Sequence, residues 1–125
     1  MRPLLAILAT TVWISLNEFL RNQLVLIDHW TQHYAAMGLT FPGEPINGAV
    51  WGLWSLCFAV VVFFMARRFS LLETSVLAWG AGFVLMWLVV GNLGMLPMSI
   101  LPYAIPWSMV EAFGAVWIVK KLAHV

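Results

Sequence analysis

The chain has 125 residues, of which 63% are apolar or aromatic and 9% are charged, whereas a soluble domain has roughly 45–50% apolar and about 25% charged residues. This composition excludes an ordinary soluble domain and predicts an all-α integral membrane protein whose first partner is the lipid bilayer. The net charge is only +1, so a nucleic-acid partner held by phosphate neutralisation is also excluded.

Four apolar segments are long enough to cross the hydrocarbon layer, which takes about 20 helical residues. They predict a polytopic protein with one domain, residues 1–125, and four transmembrane helices. The first segment is expected to stay as a span rather than to be cleaved as a signal peptide, because no small-residue cleavage site follows it. The segments cover residues 4–27, 48–66, 71–90 and 99–119.

The basic residues predict the orientation, because lysine and arginine near span ends stay on the cytoplasmic side. Arg2 precedes the first span, Arg67 and Arg68 follow the second, and Lys120 and Lys121 follow the fourth. In a four-span protein these places lie on one face. We therefore expect two helical hairpins, cytoplasmic N- and C-termini, and a multi-pass location in a bacterial-type cytoplasmic (inner) membrane.

Residues 28–47 form the predicted external loop, which contains no lysine or arginine. His29 and His33 are four residues apart in it, so on a helix both imidazoles would face one way and could hold a metal or a haem iron. The alternative is that they anchor the loop at the membrane interface. No other cofactor is predicted. The single cysteine, Cys57, cannot form a disulfide or a cysteine metal site within one chain.

The segment ISLNEFLRNQL, residues 14–24, combines polar and charged side chains with a sequence that otherwise favours lipid. Steps of three and four residues place Glu18 and either Arg21 or Asn22 on one face of the first helix. A charge at the centre of the hydrocarbon costs about 2.5–3.5 kcal/mol on insertion scales, so this face is predicted to turn toward protein or water. Glu18 and Arg21, three residues apart, can partly neutralise each other.

Glu111 is the only acid of the fourth predicted helix, and Ser55 lies on the second. Counting about 1.5 Å per residue from the cytoplasmic ends places Glu18 roughly 21 Å and Glu111 roughly 12 Å into a core of about 30 Å. Contact between Glu111 and Arg21 then needs a tilt, a kink or a chain of water molecules. The predicted polar intramembrane site consists of Asn17, Glu18, Arg21, Ser55 and Glu111.

Two residues near the external ends of the third and fourth helices, Asn92 and Tyr103, are predicted as a possible gate to this polar interior. Asn92 has an alternative role as the turn residue that caps the connection between the helices. Pro102 and Pro106 predict a kink in the external half of the fourth helix, because each proline removes a helical hydrogen bond.

The polar interior is compatible with two functions. The protein could be a carrier or channel for protons or a small solute, with Glu111 exchanging the proton and Arg21 binding an anion or holding Glu18. It could instead be a non-catalytic accessory or assembly subunit whose buried ions set the helix register. Metal or haem binding at the external histidines is a third alternative.

A row of small residues on the second helix predicts close helix packing, and we expect either a homo-oligomer or a partner in a larger membrane complex. The row consists of Gly48, Gly52, Ser55 and Ala59. An enzyme is not favoured, since the sequence has neither a glycine-rich phosphate loop nor a nucleophile elbow. A membrane enzyme built across several helices stays open.

Overall fold

The computed structural model describes residues 2–125, which are 84% helical and contain no strand. Three of its five helices are long and apolar enough to cross a membrane: α1 (Arg2–Val25), α3 (Pro45–Ala66) and α4 (Leu71–Asn92). The prediction of an all-α membrane protein is therefore confirmed. The other two helices are the short α2 (Ile27–Ala36) and the 23-residue α5 (Leu101–Ala123), which follows a 3-10 turn at Met98–Ile100.

Capping residues explain where the two central helices begin. Pro45 occupies the first turn of α3, where its missing N–H costs no helical hydrogen bond. Asn47 accepts a hydrogen bond from the backbone N–H of Glu44 at 2.9 Å, which closes this first turn. At the start of α4, Ser70 Oγ accepts from the N–H of Glu73 at 3.1 Å. Both helices thus start from sequence signals that are local to them.

Two tryptophans fix the relative direction of α1 and α5. Trp13 Nε1 donates to the backbone carbonyl of Glu111, and Trp107 Nε1 donates to Asn17 Oδ1, each at 2.9 Å. Residue numbers therefore rise along α1 as they fall along α5. The two helices run antiparallel, and both α3 and α4 pack against this pair.

The chain termini lie at the same end of the molecule as a consequence. Lys120 Nζ donates to the backbone carbonyls of Ala66 and Phe69 at 2.8 Å, so the end of α3 lies beside the end of α5. Five of the six basic residues, all except Arg21, are therefore at this end, which we call the termini end. The opposite end, which carries α2 and the loop before α3, is called the loop end.

The termini half of the helix packing is filled by small and branched apolar side chains. A Cβ atom added at Gly114 would lie 2.5 Å from Cζ2 of Trp13, so this close approach of α1 to α5 needs a glycine. Large apolar residues such as Leu8, Val12 and Leu16 point outward, as lipid contact requires. The buried residues of this half include Ala59, Val62, Ala66, Ala112, Ala115, Val116 and Val119.

The predicted external loop is partly helical, because α2 occupies its first half. Gly38, with φ of +74°, ends this helix in a backbone conformation that other residues rarely adopt. On α5, Pro102 lies in the first turn and only Pro106 lies inside the helix. Pro106 therefore leaves the carbonyl of Pro102 without its usual helical donor, whereas Pro102 interrupts no helical bond.

Candidate functional site

Arg21 joins two carboxyl groups from different helices. Its Nη2 lies 2.7 Å from Oε1 of Glu18 on α1, and its Nη1 lies 2.7 Å from Oε1 of Glu111 on α5. The three residues are 3%, 6% and 0% exposed in the order Arg21, Glu18, Glu111. The structure thus brings three of the predicted site residues into one buried cluster, which we call the ion cluster.

Direct contact between Arg21 and Glu111 follows from the antiparallel packing of α1 and α5. Helical side chains lean toward the N-terminus of their own helix. Arg21 therefore leans toward the termini end and Glu111 leans toward the loop end, so the two side chains approach each other. This lean, together with the length of an arginine side chain, allows the direct contact for which counting from the helix ends required a tilt, a kink or a chain of water molecules.

Two segments of π-helix meet at the ion cluster. Arg21 lies in the π-helical part of α1, Leu20–Val25, and Phe83 lies in that of α4, Gly80–Val84. The guanidinium carbon of Arg21 is 5.6 Å from the ring centroid of Phe83 and 5.9 Å from that of Trp107. Both distances are short enough for attraction between a cation and an aromatic face. Short π-helical segments occur frequently at functional sites.

A second layer of hydrogen bonds connects Glu18 to α2. Asn22 Nδ2 donates to Oε2 of Glu18 at 3.1 Å, and Trp30 Nε1 donates to Oδ1 of Asn22 at 3.0 Å. Asn22 follows Glu18 by four residues, a spacing that could have added it to the predicted site. Trp30 gives no such signal, because its contact depends on the break between α1 and α2 at Leu26.

The charges of the ion cluster do not balance when every group is ionised. Two carboxylates surround one guanidinium, which leaves a formal charge of −1 away from water. Oε2 of Glu111 is buried and has no hydrogen-bond partner among residues 2–125, and an unpaired buried oxygen is costly. One proton on the carboxyl groups would make the ion cluster neutral. The ion cluster is therefore balanced when the two carboxyl groups together hold one proton.

Two cavities reach Glu18 from the loop end. The first, of about 430 Å³, contacts Glu18, Arg21 and Asn22 at its polar end, and we call it the aromatic cavity. The second, of about 400 Å³, also reaches Glu18 and includes Glu44. Both volumes fall within the roughly 300–1,000 Å³ typical of small-molecule sites. The walls of the aromatic cavity include Trp30, Tyr34, Phe41, Trp51 and Trp54.

Asn17 and Ser55, the other two residues of the predicted polar site, lie near the ion cluster without joining it. Asn17 donates to the carbonyl of Trp13 in its own helix and accepts from Trp107 on α5. Ser55 lines the second cavity and donates to the carbonyl of Trp51 at 3.0 Å, which is a bond within α3 rather than between helices. Asn17 thus fixes helix packing, and Ser55 contributes only to the cavity wall.

The two predicted gate residues do not line either cavity. Asn92 is exposed and is the last residue of α4, and the turn after it contains Leu93 as the helix cap and Gly94. Tyr103 is 55% exposed and lies beside His29, with ring centroids 6.1 Å apart. Tyr34 and Phe41 line the aromatic cavity instead.

The external histidines connect α2 to the loop between α4 and α5. His33 Nε2 donates to the carbonyl of Gly94 at 2.7 Å, and His29 Nδ1 lies 2.8 Å from Ser99 Oγ. Within the described part of the chain, no three His, Cys, Asp or Glu side chains are grouped to hold a metal ion. A metal or haem iron at these histidines would need ligands from a partner.

No protein-family model, characterised protein or solved structure matches this chain.

Proposed function

We propose that this chain is a four-span protein of the cytoplasmic membrane that carries protons, alone or with a small solute, and that the ion cluster is its proton-exchanging site. The observation that supports this most directly is the aromatic cavity, which reaches Glu18 and Arg21 from the loop end. A buried ion pair without such a cavity would favour a purely structural role.

The proposed fourth span is α5. Its 23 residues correspond to about 34 Å at 1.5 Å per residue, enough for a hydrocarbon layer of about 30 Å. Its antiparallel packing on α1 supports the same membrane depth for both helices. The termini end carries the basic residues and would then be cytoplasmic.

Fusions at the C-terminus test this orientation. We expect a green fluorescent protein fused after Val125 to be fluorescent in bacteria and alkaline phosphatase fused at the same place to be inactive. Active phosphatase without fluorescence would contradict a cytoplasmic C-terminus. A phosphatase insertion at Gly38, in the external loop, is the matched positive control.

The proposed path of the proton begins in the aromatic cavity. A proton entering from the loop end reaches Glu18 first, because Glu18 lines the cavity and Glu111 is fully buried. It then passes to Glu111, since Arg21 holds the two carboxyl groups beside each other. Release at the termini end requires a second conformation, because the residues beyond Glu111 are close-packed. The two π-helical segments are the places where α1 and α4 would change register.

Proton flux in liposomes tests the proposal. Purified protein is reconstituted, a pH gradient is imposed, and a dye trapped inside reports the internal pH. We expect Glu111→Gln to reduce flux at least tenfold, because the amide cannot exchange the proton. Asp28→Asn is the matched control, since Asp28 is an exposed acid on α2. Equal flux for Glu111→Gln and the unmodified protein would refute the proposal.

The alternative function, an accessory subunit of a membrane complex, is favoured by one feature of α3. Cβ atoms added at Gly48 and Gly52 would meet nothing within 4 Å. Both glycines line the second cavity, so a helix from a second copy or another protein that packed on this half of the small-residue row would fill that cavity. An accessory role predicts that Glu111→Gln leaves proton flux unchanged and instead weakens recovery of an assembled complex.

A further inference from the structure

We propose that the aromatic cavity binds a monovalent organic cation, such as an aryl ammonium ion. This inference depends on the proposed function, because it names the class of solute that the carrier would bind beside Glu18 when the ion cluster holds no proton.

The charges around the cavity favour a cation over an anion. Arg21 is the only basic residue of its lining, and its two Nη atoms already donate to Glu18 and Glu111. An anion would have to compete with two carboxylates for this guanidinium. When both carboxyl groups are ionised, the ion cluster has a formal charge of −1, and the loop of residues 28–47 adds acids but no lysine or arginine. A cation placed beside Glu18 would restore neutrality.

The aromatic walls favour an organic cation over a hydrated inorganic one. Phe41 is stacked on Trp30 with centroids 5.3 Å apart and meets Tyr34 edge-on at 5.1 Å, so these rings support one another. Aromatic faces attract ammonium groups and form the cages that bind quaternary ammonium ligands. They do not replace the water shell of a metal ion, which needs oxygen ligands. An organic cation with apolar substituents can pack against the aromatic walls and place its charge beside Glu18 at the acidic end of the cavity.

The position of the cavity favours an amphiphilic ligand. Val50 on α3 and Met86 on α4 line it and are 55% and 42% exposed. Because both residues lie on membrane-spanning helices, the part of the cavity beside them would open toward the hydrocarbon as well as toward the loop end. An aryl ammonium ion dissolved at the membrane interface can enter by this route.

Three probes of nearly the same shape separate charge from hydrophobicity. Phenyltrimethylammonium is the cation, tert-butylbenzene is its uncharged isostere, and benzenesulfonate is the anion. Binding to the protein in nanodiscs is measured by calorimetry, with empty nanodiscs as the blank. We expect the cation to bind at least tenfold more tightly than either of the others. Equal affinities for cation and isostere, or tighter binding of the anion, would overturn the inference.

Variants assign the binding to the cavity. Glu18→Gln should weaken binding of phenyltrimethylammonium at least tenfold, and Asp28→Asn should leave it unchanged. Trp51→Leu removes an aromatic face while keeping the wall apolar, so we expect about fivefold weaker binding of the cation and no change for tert-butylbenzene. Its control is Trp117→Leu, because Trp117 is 48% exposed on α5 away from the cavity. If Glu18→Gln fails to fold, the Trp51 comparison alone decides, and equal losses for cation and isostere overturn the inference.

The proton-flux measurement separates failure of this inference from failure of the proposed function. Flux that depends on Glu111, together with no binding of the cation, overturns the inference and leaves proton carriage intact. Binding of the cation without flux supports the site and refutes carriage. Absence of both refutes both.

Discussion

Replacing Arg21 with methionine keeps the apolar length of the side chain and removes the guanidinium from between two acids. The change deletes two charge-assisted hydrogen bonds of 2.7 Å. It leaves Glu18 and Glu111 facing each other without a counter-ion. Removing one partner of a buried ion pair costs about 3–5 kcal/mol. Because Arg21 serves two buried carboxyl groups, we expect a loss near the upper limit, about 4–5 kcal/mol of unfolding free energy.

The assay is denaturant unfolding of the protein in mixed micelles, followed by tryptophan fluorescence. Arg67→Met is the matched control, because Arg67 is exposed at the end of α3, where its guanidinium lies 5.7 Å from the ring centroid of Phe63. An exposed interaction of this kind contributes about 1 kcal/mol or less. The difference in unfolding free energy between the two variants therefore measures how much more the guanidinium between the two buried acids stabilises the protein than an exposed one does.

A third variant distinguishes the stability lost with the two hydrogen bonds from the stability lost because charges are left unpaired. Glu18→Gln, Arg21→Met and Glu111→Gln together leave no ion in the interior, and we expect this triple variant to recover more than half of the loss. An Arg21→Met variant as stable as Arg67→Met, or a triple variant no more stable than Arg21→Met, would refute the reasoning.

Three further predictions concern the packing around the site. Gly114→Ala brings Cβ to 2.5 Å from Trp13 Cζ2 and should lower the free energy of unfolding by about 2 kcal/mol. The control is Gly52→Ala, which has open space around it and should leave the unfolding midpoint unchanged or slightly higher. Equal unfolding midpoints for the two variants would contradict the close contact at Gly114. Gly94→Ala, at φ of +74°, should cost about 1 kcal/mol in the same assay, and an unchanged midpoint would argue against the left-handed turn. His33→Ala removes the 2.7 Å bond to the carbonyl of Gly94 and should speed hydrogen exchange of α2 amides, so unchanged exchange would show that the bond does not hold α2 in place.

The sequence identified those members of the candidate site whose side chains are too polar to contact lipid. Glu18, Arg21 and Glu111 stand out because an ion is costly among acyl chains wherever its helix lies. Trp30 and Phe41 do not stand out, since a tryptophan or phenylalanine near a span end usually serves as an interfacial anchor. Their place in a cavity wall depends on the break between α1 and α2 at Leu26 and on the contacts of α2 with the loop between α4 and α5, and hydropathy carries no information about these features.

The sequence by itself determined that this protein dissolves in a lipid bilayer, that it is helical, and which residues cannot face lipid. These properties depend on composition and on neighbours within one or two helical turns, so they can be summed along the chain. Only the tertiary structure decided that one arginine serves two acids. That outcome depends on the antiparallel register of α1 and α5, which tilts Arg21 and Glu111 toward each other, and on the glycine at position 114 that allows the helices to approach. The register between two helices depends on how their surfaces fit together. It therefore cannot be predicted from the residues of each helix taken separately.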